Sequence, residues 1–301
     1  MATNQHTTTY LLASLKRRGM LPSTDEALNT ADYLAFGDEE LQDYVVPLLL
    51  SVREEYLKAR TPFDQTTVSG TQTYLLPPRA IGGSVRDVLY SSNGTTFSPL
   101  SRLEPENTYS VTSGGTPFGY AFDGNYVALY PSPPSGGTLR LPYFARPNRL
   151  VATSAVGLIS AINTGSGVVT LSASCPSTFS TSETFDLVKG KQSFETLALD
   201  LTASAVGASS VTFTPANLPS ALAVGDYVCL SQESPIPQVP VELHGLLAQR
   251  IVVRALEALG DGKVVKAEAT AERMKKAVTG LLANRSQGSS RYVLNKNGPG
   301  W

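Results

Sequence analysis

Only two of the 301 residues are cysteine (Cys175 and Cys229) and only two are histidine (His6 and His244). Two cysteines cannot build a disulfide framework and read as reduced thiols of a protein made in the cytosol. With so few soft ligands, no Cys/His metal site has a convincing donor set. Long apolar runs are missing as well. None approaches the roughly 18–20 residues that cross a bilayer, so a transmembrane chain is excluded and no membrane partner is expected. The start, Met1–Thr9, lacks the basic and apolar regions of a secretory signal. Charge is sparse at 16%, and 24 basic against 25 acidic residues leave a net of −1. That balance gives no global drive toward nucleic acid or an anionic surface. Also absent are a phosphate-cradling glycine loop with its lysine, a dinucleotide fingerprint and a Gly-x-Ser-x-Gly elbow.

What is present is enough apolar material, 42% of residues, for a sizeable core. At roughly 100–200 residues per domain the length suits two domains or three. Charge is unevenly spread. Residues 1–60 carry 6 basic and 9 acidic groups, 61–150 carry 6 and 5, 151–233 carry 2 and 6, and 234–301 carry 10 and 5. No arginine occurs between Arg149 and Arg250. Such a break marks a module boundary.

The fold class expected is α+β. Tyr10, Leu11, Leu12 and Leu15 before Lys16-Arg17-Arg18-Gly19 predict a short N-terminal helix. A stronger helix is expected from Asp38 as N-cap, with Leu41, Val45, Leu48, Val52 and Tyr56 on one face and a kink at Pro47. From 63 to 150 the period changes to two, and ten of the twenty prolines fall between Pro77 and Pro147. Strands are expected at Thr71–Leu76, Ser84–Tyr90, Tyr120–Phe122, Tyr126–Tyr130 and Thr138–Phe144. Asp123-Gly124-Asn125 is a hairpin turn between two of them, and Pro131–Gly137 links the next pair. Residues 151–233 read as an inserted small β-barrel or sandwich, with strands near Gly157–Ile162, Val168–Ser172, Val211–Thr214 and Asp226–Ser231.

Beyond Pro240 the chain turns helical again. Leu243, Leu247, Ile251, Ala255 and Leu259 form one stripe, and Leu246, Val253 and Leu256 another. A helix apolar on two sides must bury both, inside a bundle or between subunits. Gly260-Asp261-Gly262 closes an αα-hairpin. The last helix carries Val264, Ala267, Ala271, Met274, Val278 and Leu281 at alternating spacings of three and four, a heptad-like seam. The expected organisation is a helical ring-forming bundle (1–62 and 234–285), an antiparallel β unit (63–150), the inserted β-rich domain (151–233) and an extended C-terminal arm (286–301). The arm places Arg291, Tyr292, Val293, Leu294 and Trp301 in a polar, glycine-rich tail, where bulky apolar residues gain nothing unless they dock.

Few residues offer chemistry. His6 lies in a polar terminus, and His244 reads as a buried or interfacial histidine rather than a base. Asp186, Glu195 and Asp226 could supply a carboxylate pair for glycan hydrolysis, against the plainer reading of turn carboxylates and solvated strand edges. The excess positive charge of 234–301 could face DNA or simply be solvated. The aromatics near 120–144 could stack on single-stranded bases, but suit core and cross-strand packing better.

The order of these parts resembles the head-to-tail adaptor (connector or head-completion) proteins of tailed bacteriophages. The resemblance is carried by Gly124-Asn-Tyr-Val-Ala-Leu-Tyr-Pro-Ser-Pro-Pro-Ser-Gly-Gly-Thr-Leu-Arg-Leu-Pro-Tyr-Phe-Ala-Arg-Pro-Asn-Arg-Leu150. It is carried also by Ile236-Pro-Gln-Val-Pro-Val-Glu-Leu-His-Gly-Leu-Leu-Ala-Gln-Arg250 and by the helix Leu41–Tyr56. It does not cover 151–233. It implies a non-enzymatic structural protein of the virion neck, made in the host cytoplasm, with no catalytic, cofactor or metal residues. Its copies would form a ring, usually dodecameric, joining the portal to tail or nozzle proteins and passing double-stranded DNA. The seam and the arm would then be subunit or portal interfaces. The competing reading is a tail-associated glycan-binding or glycan-hydrolysing module.

Overall fold

The computed structural model describes residues 6–19, 28–104, 114–191 and 193–283. Its fold is mixed α+β, with helices at both ends of the described chain and a six-stranded barrel between them. Helix α1 spans Thr8–Gly19. Helix α2 spans Thr30–Glu40 and runs through a π turn, Leu41–Val45, into α3, Val46–Arg53. Near the C-terminal end, α4 spans Val241–Ala258 and α5 spans Val264–Ala283.

The start expected at Asp38 is therefore displaced by more than two turns. Asn29 is the N-cap: its side chain accepts from the backbone N–H of Ala31 and Asp32, and the Asp32 carboxylate accepts from Asn29 N–H. That reciprocal pair satisfies donors the first turn leaves orphaned. Pro47 does not simply kink an α-helix. It follows a widened turn in which Val46 N–H reaches back to Leu41 O. In a regular α-helix the Pro47 ring would meet the carbonyl four residues earlier, and the π turn relieves that clash.

Helix α4 lies at the centre of the bundle, in contact with α1, α2 and α5. Leu243, Leu246, Leu247, Ile251, Val253, Ala255 and Leu256 are all buried, so both of its apolar stripes are covered by the same chain except at Leu259, which is 37% exposed. Truncating a wholly enclosed leucine here, such as Leu15 or Leu243, would cost ~2–5 kcal/mol.

The strands are β1 (Phe63–Thr66), β2 (Thr73–Leu75), β3 (Ala80–Val85), β4 (Leu89–Ser91), β5 (Ser98–Pro99), β6 (Ser101–Arg102), β7 (Gly119–Asp123), β8 (Tyr126–Tyr130) and β9 (Thr138–Leu141). They continue as β10 (Tyr143–Ala145), β11 (Arg149–Leu150), β12 (Gly157–Asn163), β13 (Val168–Leu171), β14 (Thr184–Val188), β15 (Thr196–Val206), β16 (Ser210–Phe213), β17 (Tyr227–Leu230) and β18 (Glu233–Ser234). Two four-stranded sheets, β1-β9-β4-β5 and β2-β8-β7-β6, share a core of Tyr74, Val127, Leu129, Leu139 and Leu141. The hairpin of β7 and β8 forms as expected, with Asp123 opposite Tyr126. The proline-rich stretch 131–137 joins no hairpin pair, because β8 and β9 belong to different sheets. Two expected strands are each split. Pro142, with no N–H to give a ladder, separates β9 from β10, and β3 and β4 part company before Leu89.

The barrel closes in the order β12-β13-β16-β15-β14-β17 around Ile159, Phe185, Leu187, Val211 and Phe213. Phe179, Phe185 and Phe213 meet edge to face, with centroids 5.0 and 5.8 Å apart. Gly167 has φ +72°, and a Cβ there would strike the Phe213 carbonyl oxygen. The incoming and outgoing strands of the barrel, β11 and β18, lie side by side as a parallel pair. The chain thus enters and leaves the barrel at one place.

Candidate assembly surfaces and the charged junction

The seam of α5 is mostly spent inside the chain. Ala271 and Val278 are buried in the helical core, and Val264, Ala267 and Met274 pack against it. Leu281 stands 69% exposed, while its neighbour Leu282 is the residue that turns inward. The heptad reading therefore places five of its six residues on the subunit's own bundle, and only Leu281 on the outer surface. The arm residues Arg291, Tyr292, Val293, Leu294 and Trp301 lie outside the described residues.

The junction below the barrel is built around Arg79, at the start of β3, whose side chain is 6% exposed. Its guanidinium donates to both oxygens of Asp186 (2.6 and 2.9 Å), to Asp200 (2.6 Å) and to Ser231 Oγ (2.9 Å). Asp186, wholly buried on β14, also accepts from Asn148 Nδ2 (2.7 Å) and from the backbone N–H of Asp200 and Gln232 (both 3.0 Å). A buried carboxylate needs this saturation to remain tolerable. One arginine from the β unit thereby fastens two barrel strands.

A second tie comes from α2. Asp38 accepts from Leu150 N–H at 2.6 Å, holding β11 to the helix. Burial raises the Asp38 carboxyl to about 6, against the lowering effects of that N–H and of Arg149. Arg149 in turn pairs with Glu233 at 2.5 Å across β11 and β18.

Inside the bundle, Glu40 is 1% exposed and receives Arg250 (2.7 Å) and Arg254 (2.6 Å) from α4. Tyr44 stacks under Arg250 with its ring centroid 4.3 Å away, and its hydroxyl donates to Glu272 on α5 at 3.0 Å. Burial first, then that bond, pushes the Tyr44 phenol up to about 12.

The residues that could have carried hydrolysis are engaged elsewhere. Asp186 is locked by Arg79. Asp226 accepts from the backbone N–H of Gly190 (2.9 Å) and Ala223 (2.8 Å), pinning two barrel loops. Glu195 pairs with Arg60 at 2.5 Å. Glu195 and Asp200 do line a groove of about 1010 Å³ between segment 55–64, β15 and the start of α4. Asp200 there is already shared between Arg79 and Ser231. The glycan-hydrolysing alternative gains no support from this placement.

His244 Nε2 lies between the carbonyls of Pro237 (3.2 Å) and Val239 (3.1 Å), and burial lowers the imidazole to about 4. His6 sits against it with ring centroids 5.5 Å apart. Among the described residues no group of three His, Cys, Asp or Glu is placed to hold a metal ion, and no helix is long and apolar enough to cross a membrane. Arg79, on which one charged centre is built, has as its local signal only a lone charge in an otherwise apolar stretch, and Glu40, the last of the three acids Asp38-Glu39-Glu40, reads from sequence as a first-turn helix acid rather than as a buried anion.

Ion pairs with saturated hydrogen bonds thus fasten the β unit to the barrel and tie the helices of the bundle to one another. The SU10 adaptor protein family model matches residues 9–172, more than half of the chain, and the chain belongs to that family. It is thus an adaptor-type protein of a bacteriophage. The match runs from α1 through β13, reaching into the barrel but stopping short of Ile236–Arg250. No curated protein matches the chain.

Proposed function

We propose that the chain is a non-enzymatic structural component of the virion neck, forming a ring, dodecameric by family resemblance, that joins the portal to the tail and continues the DNA channel. The family match over residues 9–172 carries this reading. The densely bonded junction around Arg79 and Asp186 supports it: a part that transmits load between two assemblies must hold together where its modules meet. The near-neutral charge supports it too, since many lysine or arginine contacts to phosphate would grip a duplex that has to slide. The barrel, which the chain enters and leaves at one place, is a peripheral or tail-facing decoration. The arm Arg291–Trp301 reaches the portal or a neighbouring copy.

The experiment is binding of the full chain, and of a chain lacking residues 286–301, to the portal protein of the same virus. The full chain should sediment with the portal, and the truncated chain should lose at least ~10-fold in affinity. No binding by the full chain would reject the adaptor role, and equal binding by both would reject the role of the arm.

A further inference from the structure

Two outer faces of the helical bundle carry opposite charge. Along α2, the π turn and α3, exposed positions recur every four residues, at Ala35, Glu39, Asp43, Pro47 and Ser51, and continue to Glu54. The charged members of that stripe are all acidic. On α5 the outward face presents Val265, Lys266, Ala269, Arg273, Lys276 and Gly280. Its charged members are basic, and Val265 is 76% exposed. The acidic residues beside it are Glu268 and Glu272, and Glu272 is drawn aside by Tyr44 and Lys275.

The inward-facing charges of these helices are paired, as Glu40 with Arg250 and Arg254 shows. The charges of the two stripes are not. Among the described residues, Glu39, Asp43, Glu54, Lys266, Arg273 and Lys276 make no ion pair. Both stripes run about 20–30 Å at 1.5 Å per residue. Small residues stand among or beside the charges, Ala35 and Ser51 in one stripe and Ala269 and Gly280 in the other, which lets helix axes come close.

We infer that these two faces meet between neighbouring copies, the acidic face of α2–α3 in one against the basic face of α5 in the next. The inference rests on the ring reading above and names the contact that would close it. A head-to-tail contact needs two different, complementary patches on one chain. Here a single chain supplies both signs, on helices of similar length, and none of the six charges makes an internal ion pair among the described residues, although Glu39 lies in the field of Arg254. That points to a second copy rather than to DNA, which would use the basic face and leave the acidic one idle.

Two charge-reversed chains test it, one with Glu39→Lys, Asp43→Lys and Glu54→Lys, the other with Lys266→Glu, Arg273→Glu and Lys276→Glu. Mass photometry reads assembly, and circular dichroism confirms that each chain is folded. Each variant alone should need at least ~100-fold more protein to assemble than the wild type, because like charges then face each other. Mixed, the two should assemble again, alternating and in even numbers, since every contact regains opposite signs. Zero-length carbodiimide coupling of the assembled wild type should join Glu39, Asp43 or Glu54 to Lys266 or Lys276 of another copy.

A wild type that assembles while the reversals change nothing would overturn the inference and leave the ring standing. So would folded variants that mixing fails to rescue, an assembled wild type without those cross-links, or a basic-face reversal that affects only duplex-DNA binding. A wild type that stays monomeric with and without portal would remove both the contact and the ring.

Discussion

Replacing Arg79 with methionine tests how the barrel is held. The substitution keeps most of the volume but removes the one cation that, among the described residues, contacts Asp186, whose side chain is 0% exposed. Asp186 would keep its three N–H donors, from Asn148, Asp200 and Gln232. It would lose the charge that offsets its desolvation. Removing one partner of a buried pair costs ~3–5 kcal/mol. With an m-value near ~3 kcal/mol/M, the urea midpoint should fall by about 1–1.7 M. Because the bonds of Arg79 link β3 to β14, Asp200 and Ser231, the barrel should also melt separately, splitting one transition into two.

Arg79→Lys would restore only part of the loss, since an ammonium cannot hold two oxygens of Asp186, Asp200 and Ser231 at once. Arg79→Met combined with Asp186→Asn should be less destabilised than the sum of the single changes. Unfolding followed by circular dichroism gives all of these numbers. A methionine variant that unfolds at the wild-type midpoint, or a double variant whose losses simply add, would refute the junction as described.

Other changes follow from the same geometry. Asp38 takes up its proton near pH 6 folded against 3.8 ordinarily, so the folded chain binds more protons in that window and loses stability as pH rises through it. Asp38→Asn should therefore melt above wild type at pH 7.5, with the gap closing near pH 4. His244 has the opposite sign: it is held near 4 against 6.5, so stability falls as pH drops through that range, and thermal melts of His244→Gln should show a weaker acid slope. Glu40→Gln leaves Arg250 and Arg254 without their buried anion and should cost about 3 kcal/mol by urea titration. Gly167→Ala forces a side chain toward the Phe213 carbonyl at positive φ. It should destabilise the barrel by at least ~2 kcal/mol, seen as earlier loss of its amide-exchange protection.

Much of this fold could be read where periodicity and punctuation are local. The hairpin at Gly124-Asn125, the two-sided α4 and a small β unit near 151–233 all follow from spacing and turn residues. Two of the misreadings share one cause, which is partners distant in sequence. Strand β14 reads Thr-Phe-Asp-Leu-Val, and a mid-strand aspartate looks like a turn until Arg79, 107 residues away, is placed against it. Asp38 resembles a cap because its true role, accepting from Leu150 N–H, is set by the fold and not by its neighbours. The seam on α5 shows the reverse case. Its spacing is right for a helix interface, but the interface is with the chain's own α4 and core rather than the outer surface. Periodicity identifies a face to be covered without saying what covers it.

The central claim is that copies of this chain gather around a channel at the portal. Negative-stain electron microscopy of the purified full-length protein, alone and mixed with the portal of the same virus, tests it most directly. The account predicts closed rings with an axial hole, on their own or seated on the portal. Isolated single particles in both samples would contradict it.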